Sequence, residues 1–208
     1  MWLFRGKTCI FVHLNFLSMK DDVLTTTTHP MTVEEYLEFE ERSEIRHEFI
    51  NNQLIPMPGT TDYHNQICQN LSFLLRTLLK MRGFRIFVEG VKVQITNQRD
   101  YTYPDVFLTS DPRDLEDRYI KKYPSVIFEV ISKTSRTEDS VDKFIRYKNI
   151  ESLQNYVLVD SEKQIVEVRV KLENGDWESE TYLPASVRFP VPALELELGF
   201  EEVYEGVG

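Results

Sequence analysis

The sequence predicts an α/β (α+β) chain in which helices punctuate a succession of strands and hairpins. Three observations carry that expectation. The run Ser125-Val126-Ile127-Phe128-Glu129-Val130-Ile131-Ser132 is β-branched and aromatic on both alternating faces, which suits a strand covered on both sides. Within residues 62–81, Ile67, Leu71, Leu74, Leu75, Leu78 and Leu79 fall on one helical stripe. Val166, Val168 and Val170 then alternate with charged neighbours before Asn174-Gly175-Asp176 turns the chain, as in a hairpin.

The elements follow in order. Met1 to Ser18 is basic and apolar, but His13 and Asn15 interrupt it and no small-x-small cleavage site follows, against a signal peptide. It is also too short and too interrupted for a membrane span. Met19 opens a polar run that would serve as an ordinary start. Residues 1–24 are therefore read as an N-terminal extension, disordered or a misassigned start, and residues 25–208 as a single domain. Thr25 to Thr28 reads as a linker and Val33 to Arg42 as an acidic amphipathic helix. Asn51-Asn52 joins two short strands as a two-residue turn, since both residues tolerate positive φ. Gly83 stops the long helix. Phe84 to Ile95 reads as one long strand with a bulge at Gly90. Strands around Asp105 and Glu129, a helix over residues 138–149, a strand at 156–159 and the 165–183 hairpin follow. A short helix from Phe200 closes the chain.

Composition sets looser bounds. A length of 208 residues suffices for one domain with a sizeable core, and 41% hydrophobic content fits a soluble globular protein. A formal net charge of −10 opposes non-specific nucleic-acid binding, so any such binding needs a local basic patch. Arg46, Lys80, Arg82, Arg85, Lys92, Arg136, Arg146 and Lys148 are the candidates. Cys9 and Cys68 form neither a CxxC nor a paired Cys/His pattern, so a zinc site is not expected. Two isolated cysteines suit a reducing cytoplasm.

Chemistry concentrates in one stretch. Asp105 and Glu129 each place a carboxylate in an otherwise apolar strand. Burying a charge costs several kcal/mol (~3 or more) unless it is paired or binds a metal. Two such carboxylates on neighbouring strands can converge on one hard cation, Mg²⁺ or Mn²⁺, and sites of that kind catalyse attack on phosphodiesters. Directly afterwards Ser135 and Glu138 have capping-box spacing, and Asp139, Lys143 and Tyr147 share one helix face. A lysine there can reach back over a metal and stabilise charge on a phosphate. Taken singly, Pro104-Asp105 reads equally well as a turn corner and Lys143 as a surface lysine. The three together, in order and closely linked, are harder to explain as structure alone.

Pro104-Asp105, Glu129-Val130-Ile131-Ser132 and Asp139-x3-Lys143-x3-Tyr147 resemble the Uma-two family of the PD-(D/E)XK nuclease superfamily. The likeness extends to Met31–Leu37, to His47–Leu54, to His64 with Leu71 and Leu75, and to Asn155–Asp160. It covers about residues 30 to 205. The resemblance implies a restriction-endonuclease-like mixed central sheet flanked by helices, with extra β-hairpins. It implies a Mg²⁺-dependent endonuclease (Mn²⁺ also serving) acting on nucleic acid, with DNA the expected partner. Asp105 and Glu129 would be catalytic and metal-holding, with the Val130 carbonyl as a further ligand. Glu48 would add an acidic group, and His64 would line the site. The superfamily pattern puts lysine two residues after the glutamate, where this chain has Ile131. The resemblance implies that Lys143 takes that role, oriented by Tyr147 and Asp139, with Lys133 as the competitor. Two other readings stand beside this one. One is a catalytically inactive nuclease fold that binds nucleic acid or protein, and the other is a sheet-rich interaction module with an incidental acidic cluster. No recognition domain is appended, so sequence specificity would come from loops or a dimer partner, and cutting both strands would suit a symmetric homodimer.

Overall fold

A computed structural model describes residues 31–95, 99–131 and 138–208, with side chains in the helix that begins at Glu138 described from Val141 onward. The extension at residues 1–24, the linker, the Ser135–Glu138 box, Lys133, Arg136 and the Asp139 side chain lie outside the described residues. The described fold is the compact unit Met31–Gly208.

Helix α1 (Val33–Arg42) starts where expected because Thr32 and Glu35 cap it reciprocally, Glu35 N donating to Thr32 Oγ1 at 3.2 Å and Thr32 N to Glu35 Oε2 at 2.8 Å. Strands β1 (His47–Ile50) and β2 (Gln53–Pro56) form a hairpin whose turn residues Asn51 and Asn52 both have positive φ, 51° and 62°. Helix α2 (Asp62–Leu78) is opened by Thr61, whose hydroxyl accepts from His64 N. Its stripe of Ile67, Leu71 and Leu75 is fully buried.

The long strand expected over residues 84–95 is two strands. β3 (Arg85–Val88) and β4 (Lys92–Ile95) are parted by Glu89 and Gly90, with φ of 37° and 83°. The return path breaks at the same level: β5 (Asp100–Thr102) and β6 (Val106–Thr109) are parted by Tyr103-Pro104-Asp105. Pro104 has no N–H to give a ladder. β3 pairs with β6 and β4 with β5, so one antiparallel hairpin bends into two sheets. The Glu89 N–H donates to the Asp105 carbonyl at 2.9 Å across the bend. Gly90 therefore sits at a corner between sheets, not at a bulge in a continuous strand.

The remaining strands are β7 (Ile120–Lys121), β8 (Val126–Ile131), β9 (Asn155–Asp160), β10 (Val166–Lys171) and β11 (Trp177–Tyr182). They complete a six-stranded sheet, β11-β10-β9-β8-β6-β3, and a five-stranded sheet, β2-β1-β5-β4-β7. β8 and β9 are parallel, joined through α3 (Glu138–Tyr147), while their outer neighbours are antiparallel. The larger sheet is therefore mixed, as expected. Val126, Phe128 and Val130 belong to the same apolar layer as α2, and Ile127 packs with Tyr147 and Tyr156 in the other. Burial on both faces explains why β8 reads as a nearly unbroken apolar run. A hairpin of β12 (Arg188–Val191) and β13 (Leu196–Gly199), with α4 (Phe200–Val203), finishes the α2 layer. A third cluster, Tyr36 with Phe49 and Tyr101, fixes α1 to the smaller sheet.

Candidate active site

Asp105 stands at the corner of the bent hairpin, just before β6. One carboxylate oxygen, Oδ2, accepts from the Val130 N–H at 2.7 Å, and Oδ1 lies 3.3 Å from His64 Nε2. The reason lies in strand register. β6 pairs with β8 only as far as Val106 opposite Phe128, so the Val130 N–H has no strand partner on that edge. Asp105 supplies the acceptor instead. The N–H and C=O of one strand residue face the same edge, so the Val130 carbonyl shares the edge that Asp105 covers.

Glu129 lies one residue back, on the opposite face of β8, and is only 3% exposed. Its Oε1 accepts from the Tyr147 hydroxyl at 2.8 Å and its Oε2 from Lys143 Nζ at 3.1 Å. Lys143 and Tyr147 reach the same carboxylate because they are one turn apart on α3. Tyr147 thus contacts Glu129, whereas it was expected to orient the lysine. Lys143 Nζ is also 4.0 Å from Glu48 Oε1 on β1. Glu48, Asp105, Glu129, Val130, His64, Lys143 and Tyr147 all line one cleft of about 640 Å³.

Burial pushes the Glu129 carboxyl up, to about 8, and the negative charges of Asp105 and Glu48 add to that, against the pull of Lys143 and Tyr147. Burial would lower Lys143, but Glu129, Glu48 and Asp105 outweigh it and hold the ammonium well above the usual lysine range. For His64 burial again opposes, and the contact with Asp105, reinforced by Glu89 and Glu129, leaves the imidazole above its ordinary value. Of the basic candidates, Arg46 and Arg146 line the cleft. Lys80 and Arg85 line a separate groove beside the end of α2, and Arg82 pairs with Glu195 at 3.2 Å.

A family model described as "Putative restriction endonuclease" (Uma2) matches residues 33–201. The chain belongs to the Uma-two family. Two uncharacterized proteins of Synechocystis sp. are each 33% identical to it, over 177 residues (85% of this chain, 93% of the relative) and over 157 residues (74% and 89%). A crystal structure of a "putative nuclease belonging to DUF820" from Anabaena variabilis superposes with a TM-score of 0.68 at 20% identity, covering 84% of this chain and 98% of the other. That likeness speaks to the fold, and the restriction-endonuclease-like mixed sheet is the fold this Uma-two chain adopts.

The donor set of this Uma-two cleft fits a hard divalent cation. Asp105, Glu129 and Glu48 bring carboxylate oxygens to one cleft beside the half-buried Lys143 ammonium, and the Val130 carbonyl adds a neutral oxygen. Burial above all, and the charges of Asp105 and Glu48 after it, raise the Glu129 carboxyl, and a cation bound beside it would favour its ionised form. Three residues in or beside this cleft were not read from the sequence. Tyr156, fully buried, sends an unpartnered hydroxyl to the cleft lining. Cys68 and Glu89 lie beside His64, and the ligand atoms of the three fall within 4.8 Å of one another. The available signals were Glu89-Gly90 interrupting an apolar strand run, and the four-residue step from His64 to Cys68 on one helix face.

Proposed function

We propose that this protein is a divalent-cation-dependent endonuclease that hydrolyses phosphodiester bonds of nucleic acid, DNA in the first instance. The observation that carries the reading is the convergence of Asp105, Glu129 and Lys143 on one cleft, with Lys143 Nζ 3.1 Å from Glu129 Oε2. Asp105 and Glu129 would hold Mg²⁺ or Mn²⁺ together with the Val130 carbonyl. Such an ion, when bound, acidifies a water and neutralises charge on the phosphate.

The rest is supplied by the chain. Val130 N–H and His64 hold the two Asp105 oxygens in fixed directions. Tyr147 fixes Glu129 through Oε1. Lys143, kept charged by the carboxylates around it, presents its ammonium to the phosphate oxygens as negative charge builds on them. In the reaction a water oxygen would bond to phosphorus as the bond to the leaving sugar oxygen breaks, the water losing a proton to solvent and the leaving oxygen gaining one from it. Arg46 and Arg146, on the cleft wall, would take neighbouring phosphates despite the acidic whole. In this reading the protein works in the cytoplasm, and duplex cleavage uses a homodimer. Among the described residues no helix is long and apolar enough to cross a membrane.

The test is nicking of supercoiled plasmid by the purified chain with Mg²⁺, Mn²⁺ or EDTA. Cation-dependent nicking is expected. If plasmid, single-stranded DNA and RNA all stay intact with every cation, the nuclease reading falls and the fold serves binding alone.

A further inference from the structure

We propose that His64, Cys68 and Glu89 form a second metal site, suited to zinc, that adjoins the Asp105 centre and competes with it. His64 and Cys68 lie one turn apart on α2 and project from the same face. Glu89 arrives from the corner between β3 and β4, where its N–H is tied to the Asp105 carbonyl at 2.9 Å. The three ligand atoms lie within 4.8 Å of one another, and His64 Nε2 is 3.5 Å from Glu89 Oε1. Zinc bonds of about 2.0–2.3 Å place tetrahedral ligand atoms roughly 3.3–3.7 Å apart. The site needs only small side-chain adjustments to close on an ion.

The donor types decide which ion. A thiolate, an imidazole and a carboxylate favour a borderline cation such as zinc, whereas Mg²⁺ prefers oxygen alone. Zinc would replace the Cys68 thiol proton, which leaves to solvent. Three protein ligands leave a fourth position, and Asp105 Oδ1 is 3.3 Å from the same His64 nitrogen. His64 therefore stands between two cation positions. An ion held by it and Cys68 repels a second ion at Asp105 and draws His64 from the carboxylate it steadies. Zinc bound here would oppose the catalytic cation. This competition rests on the nuclease reading, but the site itself does not.

The test uses the full chain stripped with EDTA and titrated with Co²⁺, which reports thiolate ligation by a charge-transfer absorption band. The band is expected in the wild type, lost in Cys68→Ser, and displaced by Zn²⁺. Glu89→Gln, at a partly exposed position that tolerates exchange, should weaken Zn²⁺ binding by more than about tenfold. No band in the wild type overturns the site. A band that persists in Cys68→Ser does so too, since it would belong to Cys9. So does unchanged Zn²⁺ affinity in both variants. In the nicking assay, Zn²⁺ should suppress Mn²⁺-supported cleavage by the wild type and spare Cys68→Ser. Equal suppression of both overturns the competition. If the wild type cuts nothing, the cobalt band still decides the metal site, so the two readings fail separately.

Discussion

At Asp105 both carboxylate oxygens are already directed, one by the Val130 N–H and one by His64. A change that keeps the shape and removes the charge therefore isolates the electrostatic role. Asp105→Asn retains an oxygen that can accept from Val130. It should abolish Mn²⁺ binding in calorimetry and nicking of plasmid, while the melting temperature moves by less than about 3 °C. Lys143→Ala should separate the two readouts. Nicking should fall by about 10²-fold or more, as for loss of one donor to transition-state charge. Mn²⁺ affinity should hold or rise, because a cation beside the site has gone. An equal loss of binding and cleavage in Lys143→Ala would make the lysine a structural partner of Glu129 only. These residues were legible because each is a chemical anomaly, a charge beside or within an apolar strand or a lysine in step with a tyrosine, although Asp105 stands at a corner before β6 and not inside a strand as expected. Cys68 and Glu89 were not, because a buried cysteine on an apolar helix face and a glutamate before a glycine are both ordinary sequence. Only the fold brings them beside His64.

The bent hairpin explains where the sequence reading stopped. Val88, Val91 and Val93 carry strand-like character straight across Glu89-Gly90, so period and propensity cannot see the corner. What turns the chain is φ, positive at both residues, and a proline on the opposite arm. The β12–β13 hairpin was hidden for a related reason. Pro190 and Pro192 demote the segment as a strand, yet this two-stranded edge tolerates Pro190 because a ladder N–H is not required at every position. The starts of the helices were legible, at Val33, Asp62 and Glu138, but two of their ends were not: α2 stops at Leu78, short of the expected residue 81 and of Gly83, and α3 at Tyr147, short of residue 149. The corner yields its own prediction. Gly90 has φ of 83°, and a Cβ there would lie 2.7 Å from Arg46 Nη2. A non-glycine residue in that region costs about 1–2 kcal/mol. Gly90→Ala should lower stability by about that much in urea unfolding and displace Arg46 from the cleft wall. A neutral result would mean that the corner relaxes into a conventional bulge.

Across the molecule, the site's electrostatics make stability depend on pH in a direction that can be worked out. Glu129 has its folded pKa raised by burial and by neighbouring carboxylates, to about 8, above its value in the unfolded chain. Between those two values the folded state holds a proton that the unfolded state has lost. Stability must then fall as pH rises through that window, and the loss is complete above about 8. His64 acts in the same sense: its raised pKa gives stability that is present below the unfolded value and lost as pH rises through the folded one. Lys143 does not mask the trend, because its contribution persists until far higher pH. In EDTA the melting temperature should therefore be lower at about pH 8.5 than at about pH 6. A cation that binds ionised Asp105 and Glu129 should stabilise the protein more at the higher pH, because ligands must be deprotonated to hold it. The two curves, with EDTA and with Mn²⁺, should diverge as pH rises. Glu129→Gln, which cannot titrate, should flatten the EDTA curve and remove the divergence. Parallel curves for the wild type would mean that Glu129 stays paired to Lys143 and Tyr147 and is not a metal ligand, which would leave Asp105 to hold any cation without it.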